Sequence, residues 1–258
     1  MPLIPGAEPY THEGGPVGAL LCHGFTSTPQ SLRPWAEHLA DAGLSVSLPR
    51  LPGHGTIWQE MARTRWEDWY ADLDRAFDDL ASRCDHVFCM GLSLGGCMAL
   101  RLAEQRGDEV AGLVLVNPSL RPDNPLFPLL PLLRLAVRSF PGVAGDIKKE
   151  GVRELAYDRV PLRAAASLPT LWRLTRAELS RVTQPILLFT SADDHVVGPG
   201  SRADLTRGVS STELIEHRCE NSYHVAPLDN DASFIFAESL RFVGAHASAK
   251  ATHDEEGG

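Results

Sequence analysis

The sequence is poor in the features that mark several large classes of protein. It holds only five cysteines (Cys22, Cys84, Cys89, Cys97 and Cys219), and none stands in a C-x-x-C pair. An odd number without framework spacing excludes a disulfide scaffold and reads as reduced, buried thiols in a cytoplasmic protein. No apolar run approaches the ~18–20 residues that cross a bilayer. The opening Met1-Pro-Leu-Ile-Pro-Gly6 lacks the basic start and apolar stretch of a signal peptide. Lys and Arg number 24 against 33 Asp and Glu, a net charge of -9, with no basic cluster. That excludes a nucleic-acid groove and an anionic-membrane patch. There is no H-E-x-x-H, His23 and His54 have no ligand-spaced partners, no Lys follows Gly91–Gly96, and no dinucleotide fingerprint is present. Neither a metal nor a cofactor is therefore expected.

What is present is a regular alternation. Short apolar runs at Val17–Cys22, Leu44–Leu48, Val87–Met90, Val110–Val116, Ile186–Thr190 and Thr212–Glu216 are bounded by turn residues. Most lack period-two alternation, which suits strands covered on both faces. Between them lie segments of helical length: Thr28–Ala42, opened by a cap-like Thr28 and closed by Gly43, then Trp66–Arg83, Leu94–Gln105, Pro199–Gly208 and Ala232–Ala245. In the second of these, Trp66, Trp69, Tyr70, Leu73, Phe77 and Leu80 recur at three- and four-residue spacing. The pattern predicts an α/β fold, a mostly parallel sheet with helices on both faces. The core is expected over residues 1–119 and 182–246. Residues 120–181 break the alternation; they are proline-punctuated and apolar, with no strand expected, and read as a small helical cap or as extra core helices. Residues 247–258 are small, polar and charged, and read as a disordered tail.

The chemistry gathers at Gly91-Leu-Ser-Leu-Gly95, a G-x-S-x-G directly after an apolar run and before a helical segment. A serine lifted onto a sharp strand-to-helix turn needs neighbours without side chains, and the following helix directs free N–H groups toward it. Its hydroxyl is a weak nucleophile until a base, oriented by an acid, takes its proton. In this topology the partners follow in the order acid, then histidine. Asp193 and Asp194 both follow Ile186–Thr190; Asp194 stands nearer the apolar Val196-Val197 pair that would anchor the loop. Among ten histidines, His224 alone has the order and placement of the base. His217 lies by the last strand and reads as structural, and His195 adjoins the acid too closely. A tetrahedral intermediate also needs two fixed N–H groups. Leu94, after the serine, would supply one. Phe25, in the loop His23-Gly24-Phe25-Thr26, would supply the other, with Gly24 permitting unusual backbone geometry beside the substrate. The loop Leu51-Pro-Gly-His-Gly55 reads as a shape-giving turn on the same edge.

These residues resemble the α/β-hydrolase superfamily, and more closely its small bacterial carboxylesterases and monoacylglycerol lipases. The resemblance runs from about Gly6 to His246. Its motifs are His23-Gly-Phe-Thr, Leu48-Pro-Arg-Leu-Pro-Gly-His-Gly, Gly91-Leu-Ser-Leu-Gly-Gly, Glu154-Leu-Ala-Tyr, Ser191-Ala-Asp-Asp-His-Val-Val and Asn221-Ser-Tyr-His-Val-Ala. It implies Ser93 as nucleophile, Asp194 as acid, His224 as base, and Phe25 and Leu94 as oxyanion donors. It also implies a helical cap from the insertion, in which Glu154 would bind a glycerol head group; the competing reading of Glu154 is a solvated helix charge. The Leu126–Leu135 stretch, with its prolines, departs from the family pattern and bears on the acyl pocket. The expected function is hydrolysis of carboxylic esters, monoacylglycerols or similar small lipid esters, without a cofactor, by a cytoplasmic protein touching membranes only transiently through its cap. The rivals are a general short-chain carboxylesterase, a carbon–carbon hydrolase of the same fold and a low-turnover small-molecule receptor. Ser93 speaks against a dehalogenase or an epoxide hydrolase, whose nucleophile is an aspartate.

Overall fold

The computed structural model describes residues 1–122, 127, 137–142 and 145–256, with side chains through 247. The proline-rich 126–135 stretch, Phe127 apart, lies outside the described residues. Seven strands form one sheet: β1 (Tyr10–His12), β2 (Val17–Cys22), β3 (Ser45–Leu48), β4 (His86–Leu92), β5 (Val110–Val116), β8 (Ile186–Ser191) and β9 (Leu214–Cys219). Their order is β1-β3-β2-β4-β5-β8-β9. Every pairing is parallel except β1 with β3.

Alternate residues of the central strands face two cores, as the strand period requires. Leu20, Cys89, Leu113 and Leu188 join one, against α3 (Trp66–Ala81) and α4 (Leu94–Arg106). Leu21, Phe88, Val114 and Phe189 join the other, against α1 (Arg33–Asp41) and the last helix, α8 (Ala232–Glu256). A short α2 (Trp58–Met61) precedes α3, and α7 (Pro199–Gly208) joins β8 to β9. Burial on both faces explains the near-continuous apolar runs. The five cysteines are all free and buried. Burial pushes the thiols of Cys22 and Cys89 up, so they stay protonated.

Several elements differ from the sequence reading. The last strand begins at Leu214 and reaches Cys219, because parallel pairing with β8 sets its register from Ile186↔Leu214 to Ser191↔Cys219. Thr28 does not cap α1. A short 3₁₀ turn, Pro29–Ser31, intervenes, and the Thr28 hydroxyl instead donates to the Leu155 carbonyl at 2.9 Å. The insertion does contain strands: β6 (Ser139–Pro141) and β7 (Arg159–Pro161) pair antiparallel. Three-residue strands carry too few side chains for a period to register. After them come α5 (Leu162–Ala165) and α6 (Leu168–Glu178), the latter burying Leu168, Leu171 and Trp172. Finally, α8 runs to Glu256, through the segment read as a tail; alanines at 245, 247, 249 and 251 extend a helix already nucleated.

Candidate active site

Strand β4 ends in a turn that requires glycine at two positions. A Cβ on Gly91 would stand 2.3 Å from the carbonyl carbon of Gly95, and one on Gly95 would stand 1.9 Å from the Cys22 carbonyl oxygen. Ser93 between them takes φ 55°, ψ −116°, a conformation that non-glycine residues rarely adopt and that costs about 1–3 kcal/mol. Three backbone bonds over-determine it. The Ser93 N–H donates to Val116 at 3.0 Å, and its carbonyl accepts from Cys97 at 3.2 Å and Ser119 at 3.1 Å. Leu94 then begins α4, where the first N–H groups have no intrahelical acceptor.

The loop after β2 lies beside this turn. A Cβ on Gly24 would be only 3.7 Å from the Ser93 Cβ, so the missing side chain keeps space open next to the hydroxyl. The unusual backbone does not fall on Gly24, as the sequence suggested. It falls on Thr26, at φ 63°, whose hydroxyl donates to the Phe25 carbonyl at 2.6 Å and whose carbonyl accepts from Tyr157 N–H at 3.0 Å. Among the described residues, neither the Phe25 nor the Leu94 amide donates to a backbone carbonyl outside the helix ladders. Beneath the loop, His23 is fully buried. Its Nε2 accepts from Leu51 N–H at 3.3 Å, so the proton sits on Nδ1, which donates to the Gly24 carbonyl at 3.0 Å. Burial, opposed by the Gly24 bond and helped by Arg50, pushes its pKa down to about 4. His54, edge-on to His23 at 5.0 Å between ring centroids, is likewise pushed well below the ordinary range by burial.

His224 follows β9 and is 7% exposed; Ser93 is 9% exposed. Both line one cavity of about 610 Å³, bordered also by Gly24, Phe25, Glu154 and Val196. Asp194, behind His224, places Oδ2 2.8 Å from its Nδ1. The other oxygen, Oδ1, accepts the N–H groups of Val196 at 2.8 Å and Val197 at 2.7 Å. Burial alone would raise the Asp194 pKa. The hydrogen bond and charge of His224, with the two amides, outweigh it and hold the carboxyl below its usual value. Asp193 is exposed. Of the two aspartates, Asp194 faces the imidazole and Asp193 faces water. His217 stacks on Phe189 at 5.6 Å, away from Ser93. A second cavity, about 430 Å³, lies on the far side of Asp194 between Arg202, Glu216 and His217, and borders neither Ser93 nor His224.

Glu154 does reach the cavity, but from a segment that is neither helix nor strand. Its Oε2 accepts from Gly145 N–H at 3.0 Å. The flanking backbone is clamped by Gln30, whose side chain donates to the Arg153 carbonyl at 3.1 Å and accepts from Leu155 N–H at 2.8 Å.

Sequence reasoning missed Asn117. Its side chain donates to the His224 carbonyl at 2.8 Å and to Ser191 Oγ at 2.9 Å, and accepts from Ser191 N–H at 2.8 Å. The Asn-Pro dipeptide ending β5 was the available signal, since it marks a strand end. Asp146, from the insertion, was missed as well; nothing in its neighbourhood distinguishes it in one dimension. Among the described residues, no three His, Cys, Asp or Glu side chains form a group able to hold a metal ion.

This arrangement can activate a hydroxyl. An imidazole bonded to a carboxylate lines the cavity that holds the serine. Comparison with known proteins agrees in kind. Residues 18–231 match the family model described as serine aminopeptidase, S33. A thermostable monoacylglycerol lipase of Bacillus sp. (strain H-257) is 43% identical over 253 residues, covering 95% of this chain and 98% of that one. A carboxylesterase of Bacillus subtilis (strain 168) is 23% identical over 239 residues, covering 92% and 96%. A solved structure from work on LipS and LipT, two metagenome-derived lipolytic enzymes, superposes with a TM-score of 0.92 at 42% identity, covering 95% of this chain and 100% of that one. The monoacylglycerol lipase of Paleococcus ferrophilus shares the fold with a TM-score of 0.74 at 22% identity, covering 93% and 99%.

Proposed function

The chain belongs to the serine aminopeptidase S33 family, has the α/β-hydrolase fold and is a serine-type ester hydrolase; on that premise we propose that it cleaves monoacylglycerols through an acyl-enzyme on Ser93. The observation that carries this is the Asp194–His224 pair, 2.8 Å apart, facing the cavity that contains the strained Ser93.

Ser93 Oγ attacks the ester carbonyl while His224 Nε2 takes its proton. Asp194, bonded to Nδ1, holds the tautomer and stabilises the imidazolium. The Phe25 and Leu94 amides receive the developing oxyanion. His224 then protonates the departing alcohol, and water, with His224 again as base, clears the acyl group. No cofactor enters any step. Glu154, with one oxygen held by Gly145, offers the other to adjacent hydroxyls of a glycerol head group. Phe127, Val160 and Pro141 give the insertion side of the cavity an apolar wall. Each acyl methylene buried there favours binding by about 0.8 kcal/mol. In this reading residues 120–181 are a cap over a core of 1–119 and 182–246. The protein works in the cytoplasm and meets lipid surfaces transiently through the cap; among the described residues no helix is long and apolar enough to cross a membrane.

Purified Ser93→Ala should lose hydrolysis of p-nitrophenyl esters by about a thousandfold or more while remaining folded. Retained turnover would overturn the assignment. Multiple turnovers by the native chain separate an enzyme from a receptor that stalls after one equivalent. Glu154→Gln should weaken monoacylglycerol turnover more than that of a methyl ester with the same acyl chain. Equal losses would leave Glu154 without a head-group role.

A further inference from the structure

Asp146 lies in the insertion, between β6 and β7, with a side chain only 11% exposed, and it borders the same cavity as Ser93. Its carboxylate receives three donors from two loops. Oδ2 accepts the N–H of His195 at 3.2 Å and that of His224 at 3.1 Å, and Oδ1 lies 2.8 Å from His195 Nδ1. An ionised carboxylate only accepts, so that ring nitrogen carries the proton. The main chain of Asp146 adds a fourth bond, its carbonyl accepting Val225 N–H at 3.1 Å. One residue thus engages the amides of both His224 and its successor, together with the residue after Asp194.

The neighbouring backbone repeats the arrangement in reverse. Asp229, just past the histidine loop, accepts the amides of Lys148 at 2.7 Å and Lys149 at 2.9 Å, as well as that of Tyr223 at 2.9 Å. The His195 ring sits edge-on to Tyr223, 4.6 Å between centroids. On the sheet side, the His224 carbonyl is held by Asn117.

We propose that Asp146 is a positioning residue: through it the insertion locks the Asp194 loop to the His224 loop, so that the alignment of the acid–base pair depends on a segment outside the sheet. The proposal rests on the reading of Ser93, His224 and Asp194 as the reacting set. The bonds of Asp146 go to backbone amides and the His195 ring, not to the Ser93 hydroxyl, the His224 imidazole or the Asp194 carboxylate. Charge-assisted bonds of this kind are about twice as strong as neutral ones. Losing them leaves the His224 amide unpaired and frees the loop to shift, and a displacement of about 1 Å can cost a hundredfold in rate.

The test uses the full chain and p-nitrophenyl butyrate. Asp146→Ala should lower kcat by about ten- to a hundredfold with KM within about threefold. Asp146→Asn, isosteric but uncharged, should fall between it and the native chain. His195→Ala, which removes only the ring partner and leaves both amide bonds, should keep kcat within about threefold. Circular dichroism and thermal unfolding establish that each variant is folded; where Asp146→Ala does not fold, Asp146→Asn is read alone, with a kcat loss of threefold or more expected. Native kcat in folded Asp146→Ala, or in Asp146→Asn where it is read alone, would overturn the proposal. So would a rise in KM at constant kcat, which would mean direct substrate contact. Ser93→Ala run alongside separates the two readings: activity there would sink the reacting set, whereas its absence beside an unaffected Asp146→Ala would sink only the positioning role.

Discussion

The Cys22 carbonyl oxygen occupies the place where a Gly95 side chain would begin, 1.9 Å from that ideal Cβ. The strand that carries the candidate oxyanion loop and the helix that follows the serine are therefore packed backbone to backbone. The second glycine of G-x-S-x-G is what lets the end of β2, and the loop that follows it, approach the turn that carries Ser93.

Gly95→Ala should consequently damage both stability and catalysis. The obstructing atom is backbone, so β2 and α4 must separate. Overpacking of this kind costs about 1–3 kcal/mol or more. Urea unfolding should show that loss, and kcat/KM on a short ester should fall at least about a hundredfold. Native-like activity would show that this close backbone approach is not needed for catalysis.

Acid should weaken the fold through His23. Its pKa lies near 4 in the folded chain against an ordinary 6.5. A histidine depressed in this way contributes stability that is complete above the unfolded pKa and is lost as pH falls through the folded one. The window is therefore pH 6.5 down to about 4, and the loss is roughly 2–4 kcal/mol. Protonation would also break the bond that Nε2 accepts from Leu51. Unfolding free energies across this range should slope less steeply for His23→Gln, even if its maximum is lower. Parallel slopes would remove His23 from the account.

Asn117→Ala should cost more than an average surface change, because it strips three bonds that join the end of β5 to Ser191 and to the His224 carbonyl. A buried partner left unpaired costs about 1–3 kcal/mol. The melting temperature should fall, with kcat reduced about tenfold and KM little changed, because the base loop loses its anchor on the sheet. A change confined to KM would contradict this role.

How far the site was legible in one dimension differs residue by residue. Ser93 announces itself because its turn demands two bare neighbours at fixed spacing, and steric demands of that kind are written locally. His224 and Asp194 could be placed by their order after strands, because a parallel sheet puts every strand's C-terminal end on one edge. The choice of Asp194 over Asp193 rested on a nearby Val pair, and the structure adds a better reason: those two valine amides bond the carboxylate. Gly24 was read as permitting the unusual backbone that Thr26 in fact adopts, because a glycine permits a positive φ without requiring one. The strands β6 and β7 escaped notice because three residues hold no measurable period.

Sequence by itself determined the layered parallel sheet and the serine turn, which follow from apolar periodicity and local sterics, and it named the candidate acid and histidine by their order after the serine. Only the tertiary structure decided that Asn117 and Asp146 grip the histidine loop from opposite sides and that Glu154 lies on an irregular segment clamped by Gln30. Those bonds join residues up to 125 positions apart. A hydrogen bond depends on distance in space, and no spacing along the chain encodes it.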